Sequence, residues 1–468
     1  MKKEKKTKNE LLQEKLFLEK KSSWLKFNET ERKDIFKFAD DFKNFIRNAK
    51  TERLCVAKVA EILEKNGFKE ISNLKSAKVG DRFYKNVKGK SILAAIVGSN
   101  PNSFQLIGSH VDSPRLDLKP HPIYEDSELA LMKTHYYGGV KKYHWVNTPL
   151  ALHGIALTKS GQKVSIHIGE NDDEPKFIIP DLLPHLAKNQ MERKASSTIE
   201  GEELNIIVGH LPLNDEKIKE KIKFTLMNHL HQKYGLIEED FVCADLELVP
   251  AGKPVDIGFD RALLAAYGQD DKVCVYTSLR ALLDTKNNEH TALALFADKE
   301  EIGSVGDTGA ASLILENFAY QYLNLLGLKI NVSTLLESSK SISADVTGGM
   351  DPNFKDVNDP LNVSFLGHGI SVEKYGGGGG KYSTNDAHAE YMGYMRLLLD
   401  KNKISWQTGE LGKIDLGGGG TIAMYLSKYG MDCVDAGPCV LAMHSPYEVT
   451  SKADVYSAYL LYKVFFKD

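Results

Sequence analysis

Apolar positions change their spacing along the chain, and the changes mark its organisation. Between Leu11 and about Phe68, residues such as Ile35, Phe36, Phe38, Ala39, Phe42 and Phe45 recur at helical intervals. This stretch predicts helices, with Gly67 as a stop. From Ser91 the period shortens. Ile92–Val97 and Phe104–Gly108 are brief apolar runs bounded by Gly, Ser, Asn and Pro, the pattern of buried strands. Beyond Pro120, alternating stretches such as Lys163–Ile168 and turn clusters such as Gly169–Asp173 predict a β-rich module with a helix near Asp215–Lys233. From Asp256 strands and helices alternate again. Val273–Leu283 reads as a helix, Ala292–Ala297, Ser341–Ala344 and Cys439–Met443 as strands, and Lys452–Phe466 as a closing helix.

This order implies an α/β fold: a mixed, largely parallel sheet with helices on both faces. The simplest organisation is one α/β domain in two segments, 1–122 and 253–468, interrupted by a β-rich insertion domain over 123–252. A length of 468 residues fits two or three domains at ~100–200 residues each, and 42% hydrophobic residues supply a large core. No internal repeat is visible.

Charge and cysteine content narrow the function classes. Lys and Arg total 60 against 63 Asp and Glu, a net charge of -3 that gives no electrostatic case for nucleic acid. The five cysteines, Cys55, Cys243, Cys274, Cys433 and Cys439, are scattered and never spaced C-x-x-C. They predict neither a disulfide framework nor a zinc knuckle, and a reducing cytoplasm fits them. The N-terminus mixes Lys with Glu and lacks the apolar region of a signal peptide, and no apolar run approaches the ~20 residues that cross a bilayer. The Lys2–Lys8 cluster reads as a solvated end, with an arm docking on a neighbouring subunit as the alternative.

Five segments place a metal-competent side chain just after an apolar strand or in the following loop, where open α/β sheets bind ligands. In Gln105–Pro114, His110 and Asp112 are two apart, so the carboxylate can orient an imidazole that ligates a metal. Gly268–Lys272 offers Asp270 and Asp271, adjacent carboxylates expected not to face one spot. Leu295–Ser304 offers Glu300 and Glu301, suited to one ligand and one proton shuttle. Asp345 leaves the strand in Ser341–Pro352, and His444 leaves the strand in Val440–Pro446. Singly, each has an ordinary reading as a polar turn, a helix cap or a hydrogen-bonded loop histidine. Together, His-x-Asp, Asp, Glu-Glu, Asp and His form the ligand set of a two-metal hydrolase, one Asp bridging both ions. Nitrogen and oxygen donors suit zinc first, with manganese or cobalt as alternatives.

With these motifs the chain resembles the M18 aminopeptidases, which include aspartyl aminopeptidase and vacuolar aminopeptidase I. The resemblance rests on GSHVDSPRLDLKP from Gly108, GQDDKV from Gly268, DKEEIGS from Asp298, SADVTGGMDPN from Ser343 and LAMHS from Leu441. KYSTN from Lys381 and GGGGTIA from Gly417 add to it, and the likeness runs from about Ser91 to the C-terminus. It implies that His110, Asp345 and a bridging Asp270 hold one metal, and that Asp270, Glu301 and His444 hold the other. Glu300 would be the general base, Asp112 would orient His110, and Lys374 and Tyr382 would stand at substrate-contacting positions. The chain departs from the family pattern at Asp271, where Asn is common, and at Thr347–Gly349, where aspartyl aminopeptidases carry an Ala-His-Ala-like stretch. The resemblance further implies a zinc-peptidase-like core, an inserted dimerisation domain and a homo-oligomer, usually a dodecamer built from dimers.

The expected activity is removal of N-terminal residues from short peptides with a free amine. A water or hydroxide shared by the two metals would attack the scissile carbonyl, with Glu300 taking its proton and passing it to the leaving amine. Rival readings are a related metal-dependent carboxypeptidase or deacylase, and a non-catalytic assembly or cargo protein. Gly376–Lys381 fails the phosphate-loop pattern at Tyr375 and Tyr382, and no H-E-x-x-H is present. Gly417–Gly420 suits close approach of a substrate backbone.

Overall fold

The computed structural model describes residues 6–18 and 20–468; the part of the N-terminal lysine cluster before residue 6 lies outside them. The main sheet has nine strands. Their spatial order is Lys69–Glu70, Arg82–Val87, Ser91–Ile96, His290–Ala297, Asn100–His110, Lys340–Ser343, Asp432–Gly437, Ile370–Glu373 and Trp406–Thr408. At its centre, His290–Ala297, Asn100–His110, Lys340–Ser343 and Asp432–Gly437 run parallel. Side chains alternate across the sheet: Ile92, Ala94 and Ile96 enter one apolar layer, Leu93 and Ala95 the other. Helices Glu29–Arg47, Gln269–Leu283 and Lys452–Lys467 contribute to the first layer, and Ile314–Leu326 and Val332–Glu337 to the second. Glu29–Arg47 begins where Asn28 and Glu31 form a reciprocal cap, and it buries Ile35, Ala39, Phe42, Phe45 and Ile46. The fold is thus mixed α/β with helices on both faces of the sheet.

The sequence predicts one strand near His444, over Cys439–Met443, where the structure has three. Asp432–Gly437 belongs to the main sheet, while Cys439–Leu441 and Glu448–Ser451 join a separate five-stranded sheet. Pro438 divides the first two; it has no N–H to continue a ladder. The remaining strands of the five-stranded sheet are Val255–Ile257, Leu263–Ala266 and Thr347–Gly348.

A third, six-stranded antiparallel sheet is built from Arg115–Asp126, Leu129–Tyr137, Leu150–Leu157, Lys163–Ile168, Asn205–Gly209 and Ala244–Pro250. Its first strand starts at Arg115, ahead of residue 123. It has its own apolar core, with Trp145 fully buried, whereas Tyr136 and Tyr143 are exposed. The helix of this region is Lys221–Tyr234. Among the described residues, no helix is long and apolar enough to cross a membrane. The five cysteines are free, and all but Cys243 are buried.

Candidate metal centre

Three adjacent parallel strands deliver their next residues to one spot. Ala297 is in register with His110, and Ser343 with Gly108. His110 therefore ends its strand beside the turn carrying Glu300 and Glu301 and beside Asp345, at the C-terminal edge of the sheet. The five-stranded sheet brings the other groups. Asp270 follows Leu263–Ala266, and His444 follows Cys439–Leu441.

Asp270 lies between the two histidines. Its Oδ1 is 3.0 Å from His110 Nε2, and its Oδ2 is 3.2 Å from His444 Nε2. His110 Nε2 is also 3.7 Å from Asp345 Oδ1, and His444 Nε2 is 3.3 Å from Glu301 Oε2. The donor atoms of His110, Asp270 and Glu301 all lie within 4.8 Å of one another, and so do those of His110, Asp271 and Asp345. Contrary to expectation, both adjacent aspartates thus turn to His110. Asp270 meets the ring, and Asp271 Oδ2 accepts from the His110 backbone N–H at 3.2 Å.

The remaining ring nitrogens are held from behind. His110 Nδ1 is 3.3 Å from Asp112 Oδ1, and His444 Nδ1 is 2.8 Å from the Gly139 carbonyl. Such partners fix each tautomer so that Nε2 faces the cluster. Asp112 is fully buried and also accepts from the Glu300 and Glu301 backbone N–H groups, each at 3.2 Å, and from Tyr137 Oη–H at 2.9 Å. His444 has φ +65°, a left-handed conformation that costs a non-glycine residue energy. Glu448 holds it there, accepting from the His444 N–H at 2.7 Å and the Asp270 N–H at 3.0 Å.

Electrostatically the cluster calls for positive charge. Burial, then neighbouring carboxylates, push Glu300 up to about 8, and burial and Asp270 hold Glu301 well above the usual carboxylate range. Burial also raises Asp345. Burial opposes charge on both histidines, yet their carboxylate partners win, raising His444 to about 10 and His110 well above the ordinary imidazole value. Among the described residues, Glu301 Oε1 and Asp271 Oδ1 are buried with no hydrogen-bond partner. Orphaned carboxylate oxygens beside imidazole nitrogens fit divalent cations, zinc included.

The cluster opens on a cavity of about 570 Å³, whose wall includes Glu373, Leu411, Met424 and Gly418–Gly420. Glycine at 418 (φ +104°) is required by the fold itself, since a Cβ there would sit 1.8 Å from the Gly377 carbonyl oxygen of the neighbouring glycine loop. Neither Lys374 nor Tyr382 lines this cavity. Lys374 Nζ is bound to Asp386 and to the Ala387 carbonyl, both at 2.8 Å, and Tyr382 is 76% exposed. Sequence reasoning missed Glu448, Tyr137, Glu373 and the Gly139 carbonyl. Only Glu448 left a signal, as an acid four residues after His444.

Histidine and carboxylate donors gathered where the C-terminal edge of a parallel sheet meets a second sheet, beside a cavity, define the class of a metallohydrolase. Residues 45–466 match the family described as aminopeptidase I zinc metalloprotease (M18). The chain is similar to a probable M18 family aminopeptidase 1 of Clostridium acetobutylicum, 45% identical over 96% of this chain and 98% of that one. Its fold is similar to the crystal structure of an M18 aminopeptidase from Thermotoga maritima, 42% identical, with a TM-score of 0.93 over 96% of this chain and 100% of that one. A more distant likeness is the Saccharomyces mApe1 dodecamer, 24% identical, with a TM-score of 0.74 over 92% of this chain and 96% of that one. The chain belongs to the M18 family of zinc metallo-aminopeptidases. It is therefore a hydrolase, and the carboxypeptidase, deacylase and cargo readings fall away.

Proposed function

We propose that the protein is a two-metal aminopeptidase that removes one residue at a time from the N-terminus of short peptides. The observation that carries this is Asp270 set between His110 and His444, one carboxylate oxygen to each ring. In this reading His110, Asp270 and Asp345 hold one ion, and Asp270, Glu301 and His444 the other. Zinc is the first choice, with manganese or cobalt as alternatives. Bound zinc supplies Lewis acidity for the scissile carbonyl and for water.

The chain's own groups supply the rest. Glu300 stands beside the donors in the cavity wall, takes a proton from the attacking water and returns it to the leaving amine. Its backbone N–H is tied to Asp112, which also orients His110, so base and ligand share one support. Glu448 holds His444 and the Asp270 backbone in place. The unused carboxylate oxygens of the cluster offer the substrate's free α-amine a partner, which restricts cleavage to the first residue. The β-rich insertion, residues 123–252, mediates homo-oligomerisation, and the mApe1 dodecamer supports a twelve-subunit assembly made from dimers. We place the protein in the cytoplasm, in keeping with its unpaired cysteines.

Chelator treatment of the purified protein, assayed on aminoacyl-arylamides and on the same peptides with blocked N-termini, tests this reading. Activity should disappear with chelation, return with zinc, and never extend to the blocked peptides. Full activity in protein shown by metal analysis to hold none would refute it.

A further inference from the structure

The cavity wall holds five carboxylates: Asp270, Glu300, Glu301, Asp345 and Glu373. Among the described residues lining it there is no Lys or Arg. Four of the five belong to the cluster around His110 and His444. Glu373 does not. It ends the strand Ile370–Glu373, in register with Asp435 on the next strand, so its position is set by the main sheet and not by a loop.

Glu373 is 8% exposed, makes no ion pair among the described residues, and its Oε1 has no hydrogen-bond partner there. Its surroundings are acidic. Burial first, then Asp435, Asp345 and Glu410, raise its pKa, to about 8, with only the Thr347 hydroxyl acting the other way. The two nearby acids outside the cluster are already engaged: Asp435 accepts from Thr421 at 2.6 Å and Glu410 from Tyr375 at 2.6 Å. Among the described residues, Glu300 and Glu373 are the acids of the cavity with neither an ion pair nor a side-chain hydrogen bond of ordinary strength, and of the two only Glu373 stands apart from the cluster. Burying such a carboxylate alone is unfavourable, and a cationic ligand group removes the penalty. Leu411, Met424 and Met443 give the same wall an apolar surface, which suits the methylene stem of a long basic side chain.

We infer that Glu373 selects substrates whose N-terminal residue is lysine or arginine, pairing with the side-chain cation while the scissile bond lies at the metal cluster. This rests on the aminopeptidase reading above and adds its substrate class. An acidic N-terminal side chain placed at Glu373 meets like charge.

The zinc-loaded full chain, assayed on the arylamides of Lys, Arg, Leu and Glu, tests the inference. Lys and Arg should give higher kcat/KM than Leu and Glu. In Glu373→Gln the Lys-to-Leu ratio of kcat/KM should fall about tenfold or more, the scale of one charged hydrogen bond. Wild-type protein gives a second readout that needs no variant: lysinamide should inhibit more tightly than norleucinamide, which matches its length without the charge. No preference for basic residues, an unchanged ratio in Glu373→Gln, or equal inhibition by the two amides would overturn the inference while leaving the aminopeptidase reading intact. Failure to hydrolyse any arylamide would overturn that reading, and the inference with it.

Discussion

Replacing Tyr137 by Phe removes one hydroxyl and should loosen the metal centre from a distance. The Asp112 carboxylate is fully buried and receives three hydrogen bonds, from the Glu300 and Glu301 N–H groups at 3.2 Å and from Tyr137 Oη at 2.9 Å, while His110 Nδ1 lies 3.3 Å from its Oδ1 and 3.2 Å from the Asp112 carbonyl. The tyrosine bond is the shortest. A hydrogen bond to a charged group contributes about 1.5–3 kcal/mol, which corresponds to about 10–150-fold if it falls wholly on metal binding. Outer partners of metal ligands have effects of about 10–100-fold, so the two scales agree. The Phe ring keeps its place over Arg115, whose guanidinium carbon is 4.0 Å from the ring centroid, so packing is conserved and the hydroxyl is isolated. Zinc competition against a chelating dye, kcat and KM at rising zinc, and thermal unfolding read the outcome. Affinity should drop about 10–100-fold, with turnover partly restored by excess zinc. A variant with altered melting but unchanged zinc affinity and turnover would show that Tyr137 only braces the fold.

Glu300→Gln should keep its metal content and lose turnover by about 100-fold or more, whereas Glu301→Gln should lose part of its metal, because only the Glu301 carboxylate reaches the imidazole of His444. Equal metal content and equal rates in the two variants would contradict the division of roles. Light scattering of the intact protein should report an assembly well above the 52.1 kDa chain; a fully active monomer at micromolar concentration would end the assembly proposal. Deleting about residues 125–250 should leave small particles with little activity, in part because Tyr137 and Gly139 go with them.

The candidate donors were legible because each follows an apolar run: the parallel sheet sends the exits at His110, Glu301 and Asp345 to one edge, and the five-stranded sheet brings Asp270 and His444 to meet them. Spacing alone placed Asp112 behind His110 as well. The supporting groups were not legible for a different reason. Tyr137 sits in a polar, aromatic stretch that reads as module core or subunit interface, and its direction is set by the sheet it ends, not by local pattern. Backbone groups such as the Gly139 carbonyl carry no residue signature at all. Glu373 reads as an acid at a strand end, and only the tertiary arrangement shows that no cation meets it. Near the C-terminus the strand expected over Cys439–Met443 is present as Cys439–Leu441, and the flanking strands Asp432–Gly437 and Glu448–Ser451, which carry polar residues, were not read. Lys374 and Tyr382 were placed by likeness to short motifs, and the glycine loop between them carries both away from the cavity wall.

All three sheets meet at the centre, and this has a consequence for how it forms. The nine-stranded sheet brings His110, Glu301 and Asp345, and the five-stranded sheet brings Asp270, His444 and Glu448. The six-stranded sheet brings the Tyr137 hydroxyl, and the Gly139 carbonyl lies just beyond it. No single sheet holds a complete donor set, so the centre exists only when the sheets are docked. The junction is itself charged: buried Arg115, on the six-stranded sheet, contacts Glu52 from the helix Glu29–Arg47's successor Glu52–Lys65 at 3.3 Å and Glu247 at 3.3 Å, with Tyr137 stacked above. Removing one member of such a buried network leaves the others uncompensated, so docking of the module and organisation of the metal site are coupled through Arg115, Tyr137 and Asp112.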